Sequence, residues 1–152
     1  MNSERIFSLG NVAVLPGWII LLFFPRWRWG ARLISGAVIP ALVGATYTYL
    51  MVVGMPGSEG GFGSIEEVRT FFADDALLTA GWLHYLAFDL FIGAWMVRDG
   101  QAQSINHLMV FPCLLLTFMF GPIGLLAYLG VRGVLRRKLW LGSATDAAPS
   151  PA

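Results

Sequence analysis

The sequence predicts an all-α membrane protein: four transmembrane helices with a short interfacial helix between the second and the third. Three observations predict it. Of 152 residues, 57% are hydrophobic and 12% charged, where an ordinary soluble domain carries about 25% charged residues. Mean hydropathy is +0.68. Four runs, 6 to 24, 33 to 53, 76 to 97 and 108 to 130, approach the roughly 20 apolar residues that cross a bilayer.

The first run follows a single basic residue, Arg5, and leads into PRWRWGAR where a signal peptide would show a small-residue cleavage site, so it is expected to be retained. The second carries Ala37, Ala41 and Ala45 at four-residue intervals beside Gly36 and Gly44, a pattern expected to form a close-packing face. Next comes MPGSEGGFGSIEEVRTFFADD, glycine-rich and then helical. Ser64 stands three residues before Glu67, a capping-box spacing ahead of Val68, Phe71 and Phe72. Pro16, Pro40 and Pro122 each remove an N–H from a run and free the carbonyl four residues back, which needs a partner inside a bilayer. Residues 1–142 are expected to form one four-helix domain, and 143–152, SATDAAPSPA, a disordered tail.

With four crossings, both termini and the 54 to 75 loop share a side. That side holds Arg5, Arg69, Arg132, Arg136, Arg137 and Lys138, against Arg26, Arg28, Arg32 and Arg98 on the other. The balance predicts cytoplasmic termini. Trp18, Trp27, Trp29, Trp82, Trp95 and Trp140 fall mostly towards run ends, where interfacial belts form. There is no basic surface for nucleic acid, and the lone Cys113 rules out an intrachain disulfide.

GWLHYLAFDLFIGAWMVRDG, residues 81 to 100, carries the costly groups. Asp89 falls within about 3 Å of the bilayer midplane at helical rise, where an aspartate costs roughly 2.5–3.5 kcal/mol on insertion scales and implies function. His84 lies five residues earlier, about 140° round the helix. Asn11, Thr46, Tyr47 and Thr117 come to similar depth from the other runs, which suggests one polar cluster together with His84, Tyr85 and Asp89. The two histidines do not make a haem pair: His107 belongs to the far end of the fourth run, on the order of 20 Å from His84 along the axis. No metal-ligand set shares a helix face. Asp99 and His107 flank a short loop, where a solvated cap or an ion pair with Arg98 is expected.

FSLGNVAVLPGW, then Trp82, His84, Asp89, Leu90 and Phe91 as W-x-H-x-x-x-x-D-L-F, then Asp99-Gly100, His107 and FGPIGLLAYL occur in that order. Together they resemble the neoxanthin-synthase family, the abscisic-acid-deficient-type membrane proteins of plastids and their bacterial relatives, over roughly residues 6 to 137. The resemblance implies an isomerisation of an epoxycarotenoid to an allenic carotenoid, without net redox change and without a cofactor. An acid would protonate the epoxide oxygen while a base takes a proton from the adjacent polyene carbon. For these roles we expect Asp89 or Tyr47 as acid and His84 as base. Asn11, Tyr85, Phe88, Phe91, Trp95 and Thr117 are expected to contact the substrate, the aromatic residues holding a polyene. No plastid transit segment is seen, and the tight loops suggest a bacterial inner membrane. The expected partners are a carotenoid or related lipid, the membrane, and a second copy or a carotenoid enzyme. The rival reading is a non-catalytic pigment-binding or assembly factor; small-solute transport would require a dimer, because the chain has no internal repeat.

Overall fold

The structure is a computed structural model that describes residues 2–136. Among these residues all regular structure is helical. Helix α1 spans Ser3–Phe23. A π-helical stretch, Gly30–Val38, continues without a break into α2, Ile39–Gly54. Then follow α3 (Ile65–Phe71), α4 (Asp75–Ala102), α5 (His107–Phe120) and α6 (Pro122–Arg136).

Three helical segments, Ser3–Phe23, Gly30–Gly57 and Asp75–Ala102, are long and apolar enough to cross a membrane. The expected fourth span is not one. It breaks at Gly121 into two helices of 14 and 15 residues, each about 21–23 Å long at 1.5 Å per residue. Side-chain contacts fix their direction. Thr117 touches Met96 and Gly121 meets Asp89 as α5 climbs from the end of α4 to its middle. Tyr128 and Arg132 of α6 then reach Asp99, so the chain has turned back. Helices α5 and α6 form an antiparallel hairpin that covers one half of α4.

The turn explains why Pro122 does not kink a long helix: it occupies the first position of α6, where the missing N–H costs nothing. Gly121 has φ +49°, and a Cβ there would lie 2.9 Å from Asp89 Oδ1 and 3.3 Å from the Tyr85 ring. Both the left-handed backbone and the space demand glycine. Its N–H bonds to Thr117 O at 2.8 Å, and its carbonyl accepts from Gly124 N at 3.0 Å. A side chain at Gly124 would run into Thr117 and the Cys113 carbonyl, so the two hairpin arms touch backbone to backbone.

Helix α4 is the hub. Helix α1 runs parallel to it, with Gly17 receiving Leu90 and Gly93 receiving Trp18; the π-helical stretch and α2 together run antiparallel, pairing Gly36 with Ala94 and Gly54 with Leu77. Small residues opposite large ones give the close packing that must hold helices together where acyl chains are as apolar as leucine. The expected small-residue face of α2 does not serve this purpose within the chain: Ala37, Ala41 and Ala45 are exposed, and nothing lies within 4 Å of a Cβ at Gly44. Of the tryptophans, Trp18 is a core residue, 3% exposed and edge-on to Phe118, rather than part of a rim. Trp27 and Trp29 are exposed; Trp140 lies outside the described residues, as does the tail expected to be disordered.

The short helix forms as expected. Ser64 Oγ accepts from Glu67 N at 3.2 Å, and the Glu67 carboxylate reaches Gly63 N at 3.0 Å. Phe71 turns inward against Phe62 and Phe72. Asp74 caps α4 by accepting from Ala76 N and Leu77 N. Ser35 of the π-helical stretch donates to the Gly17 carbonyl at 3.0 Å, tying α1 to the start of the second long segment.

Replacing Gly121 by alanine is expected to cost at least about 1–3 kcal/mol, the strain of a disfavoured backbone plus the clash with Asp89. Gly44→Ala should change stability by no more than about 0.5 kcal/mol or stabilise through helix propensity. Thermal unfolding of both variants in detergent, compared with the parent, checks the contrast.

Candidate functional site

Asp89 lies near the middle of α4 on the face turned to the hairpin tip. Its Oδ2 is closed off from solvent and has no hydrogen-bond partner among the described residues. Tyr85, one turn earlier, faces the same carboxylate, and the two side chains flank Gly121. An unpartnered carboxylate oxygen in an apolar helix is costly, and this carboxylate packs against Gly121, the residue immediately before α6.

His84 is on another face of α4, as the five-residue spacing requires. It stacks on Phe88 with ring centroids 4.5 Å apart and planes 10° apart. Tyr47 of α2 meets it edge-on at 5.5 Å. Phe88 and Phe91 are exposed, and Trp95 stands edge-on to Tyr128 at 5.5 Å. Thus His84, Phe88, Phe91 and Trp95 form an aromatic strip along the outside of α4, with Tyr47 at one end.

Asn11 of α1 accepts from Trp82 Nε1 at 2.8 Å, and Trp82 packs between Phe7 and Tyr85. Thr46 bonds to Leu42 O within its own helix. Thr117 is buried in the α4–α5 seam, donating to Cys113 O at 2.9 Å. The residues expected in one cluster therefore divide around α4. Tyr85 and Asp89 meet at the hairpin tip, Tyr47, His84 and Phe88 meet in the α2 seam, and Asn11 joins Tyr85 only through Trp82.

A second polar centre was not anticipated. Asp99, expected at a solvated cap or beside Arg98, instead accepts from Tyr128 Oη at 2.5 Å and from Arg132 Nε at 2.7 Å. Arg132 is 1% exposed and the Asp99 side chain 13%. The sequence signal is the four-residue spacing of Tyr128 and Arg132, which puts both on one helix face; it is hidden as long as the fourth run is taken to cross to the side opposite Asp99. Nearby, His107 Nε2 lies 3.0 Å from Leu22 O, and Gln101 donates to Pro25 O at 2.5 Å. These contacts line a cavity of about 820 Å³ between the end of α1 and the α4–α5 loop, which Arg26 also borders. A separate groove of about 580 Å³ between α1 and α2, walled by residues such as Leu9, Leu42 and Leu83, is almost wholly apolar. No group of three or more metal-ligating side chains occurs among the described residues.

A sequence model of the ABA DEFICIENT 4-like family matches residues 5–128. The chain is also similar to the chloroplastic protein ABA DEFICIENT 4 of Arabidopsis thaliana, 22% identical over 145 residues that cover 90% of this chain and 64% of that protein. The chain thus spans just under two thirds of the relative's length. No solved structure matches it.

Removing one member of the Asp99–Arg132 pair should cost about 3–5 kcal/mol, because it breaks an ion pair that is shielded from water. In a double-mutant cycle of Asp99→Asn and Arg132→Met, we expect the double variant to lose less than the two single losses added together. Denaturation of all four proteins in detergent measures the coupling.

Proposed function

The chain belongs to the ABA DEFICIENT 4-like family, and from that membership we propose an integral membrane protein that binds and isomerises a carotenoid-like isoprenoid. The family relation supports a carotenoid-related function. Three helices of spanning length and an apolar outer surface support the membrane. The observation that carries the chemistry is Asp89 Oδ2, a buried acceptor without a partner in the middle of an apolar helix.

In this reading an epoxide end group sits at the hairpin tip. One member of the Tyr85–Asp89 pair gives a proton to the epoxide oxygen as the carbon–oxygen bond breaks. The other takes a proton from the neighbouring polyene carbon, and the electrons of that C–H bond become the new cumulated double bond. The product has the mass of the substrate, and proton exchange within the pair restores both groups. The strip of His84, Phe88, Phe91 and Trp95 supports the polyene, with aromatic faces suited to an extended π system. Tyr47, which borders His84, completes that end of the strip. This arrangement moves the base from His84, which shares no face with Asp89, to the pair at the tip.

A second reading is favoured by the unpartnered small-residue face of α2: a non-catalytic factor that holds pigment while assembled with a carotenoid enzyme or a second copy.

Expression in a host that accumulates epoxycarotenoids separates the two. We expect a new pigment of unchanged mass, and a loss of conversion on the order of 100-fold or more in Asp89→Asn and Tyr85→Phe at equal membrane protein levels. His84→Ala should retain less pigment on purification but convert part of it. An unchanged pigment profile with pigment still bound would replace the isomerase by the assembly factor.

A further inference from the structure

The hairpin changes which end of the molecule carries the close of α6, and with it the distribution of charge. The start of α1 lies beside the start of α4, because Asn11 bonds to Trp82. The close of α6 lies beyond the opposite end of α4, because Arg132 bonds to Asp99. At the first end stand the acids Glu4, Glu59, Glu66, Glu67, Asp74 and Asp75, with only Arg5 and Arg69 as bases among the described residues. Arg69 pairs with Glu66. At the other end stand Arg26, Arg28, Arg32 and Arg98, all exposed, together with Arg132 and, at the last residue of α6, Arg136. Asp99 is the one acid there among the described residues, and Arg132 and Tyr128 already engage it. Trp27 and Trp29 alternate with the arginines and are exposed, as side chains at headgroup level are.

Four crossings left basic residues on both sides; three crossings and a hairpin gather all of those among the described residues except Arg5 and Arg69 on one. The hairpin itself meets the conditions for entering a bilayer part-way. Its turn at Gly121 is buried against Asp89 and Tyr85, with its N–H and carbonyl both bonded, and irregular backbone at that depth is tolerated only when enclosed by protein.

We infer that the chain crosses the bilayer three times, with α5–α6 as a re-entrant hairpin, and that the Arg26–Trp27–Arg28–Trp29–Arg32 face docks on the anionic cytoplasmic leaflet. The N-terminus is then outside and the C-terminal end inside. The partner is a lipid surface bearing negative headgroups, selected by positive charge at the interface. The inference rests on the membrane reading above, and carbonate extraction of membranes tests that reading separately: release into the soluble fraction would end it before orientation is considered.

In a bacterial host, the full chain carries a C-terminal green fluorescent protein or a C-terminal alkaline phosphatase, which report inside and outside respectively. Independently, Glu59→Cys and Ala102→Cys are made in a Cys113→Ala background and treated with a membrane-impermeant maleimide. The expected result is a fluorescent fusion, a silent phosphatase, labelling of the Glu59→Cys variant in intact cells, and labelling of the Ala102→Cys variant only after lysis. An active phosphatase with Glu59→Cys labelled, or a silent one with Glu59→Cys protected, means an even number of crossings and overturns the hairpin. An active phosphatase with Glu59→Cys protected overturns the leaflet assignment. Arg26→Gln, Arg28→Gln and Arg32→Gln together should raise phosphatase activity severalfold by inverting part of the population; an unchanged ratio would remove the orienting role of that face.

Discussion

The contact on which the arrangement depends is the seat of Gly121 against Asp89 and Tyr85. A helix pair that reverses half-way along its neighbour must expose a turn at the depth where unsatisfied backbone costs most. This chain meets the demand with a residue that has no side chain and takes a left-handed φ. Its two polar backbone groups are bonded to Thr117 and Gly124. The same closeness places an acid beneath the first turn of α6. Structure and the proposed chemistry share one position, because the residue that permits the turn is also the one that closes on Asp89.

The open end of the hairpin is held by a different kind of interaction. Asp99, Tyr128 and Arg132 join the returning arm to the end of α4 through charge-assisted bonds in a shielded setting. Such a pair adds little to stability compared with an apolar substitute, but it fixes register. A shift of α6 by one turn would put one of Tyr128 and Arg132 where the other now sits and carry the other away, so the carboxylate would lose one of its two partners. The hairpin is pinned at its tip by shape and at its base by charge, and Trp95 against Tyr128 fills the space between them.

Much of the fold was legible because helix length and hydropathy are local properties: the first three runs, the Ser64 cap and the short α3 all follow from them. The fourth run misled because periodicity cannot distinguish one apolar helix of 23 residues from two that meet at a glycine. FGPIGL supplied the break, glycine followed by proline, but a proline inside a membrane helix is common enough to be read as a kink. The polar residues could be grouped by their position along each run, but which neighbours they meet could not be read from it. Depth follows from rise per residue along one helix, whereas the face depends on where neighbours pack. Thus Asp89 and Tyr85 belong together, and His84 belongs with Tyr47. Asp99 was misjudged for the same reason as the hairpin: its partners come from an arm taken to end on the other side.

Helices α5 and α6, at 14 and 15 residues, are each too short to cross a bilayer of ordinary thickness alone. The polar contacts that join the returning arm to α4 come late in the chain, from Tyr128 and Arg132 to Asp99. On the three-crossing inference the two arms would enter as one closed unit, with the last turns of α6 supplying the clasp at the open end. A chain stopped before those turns would hold the Asp99 carboxylate without its cation and the open end without its clasp.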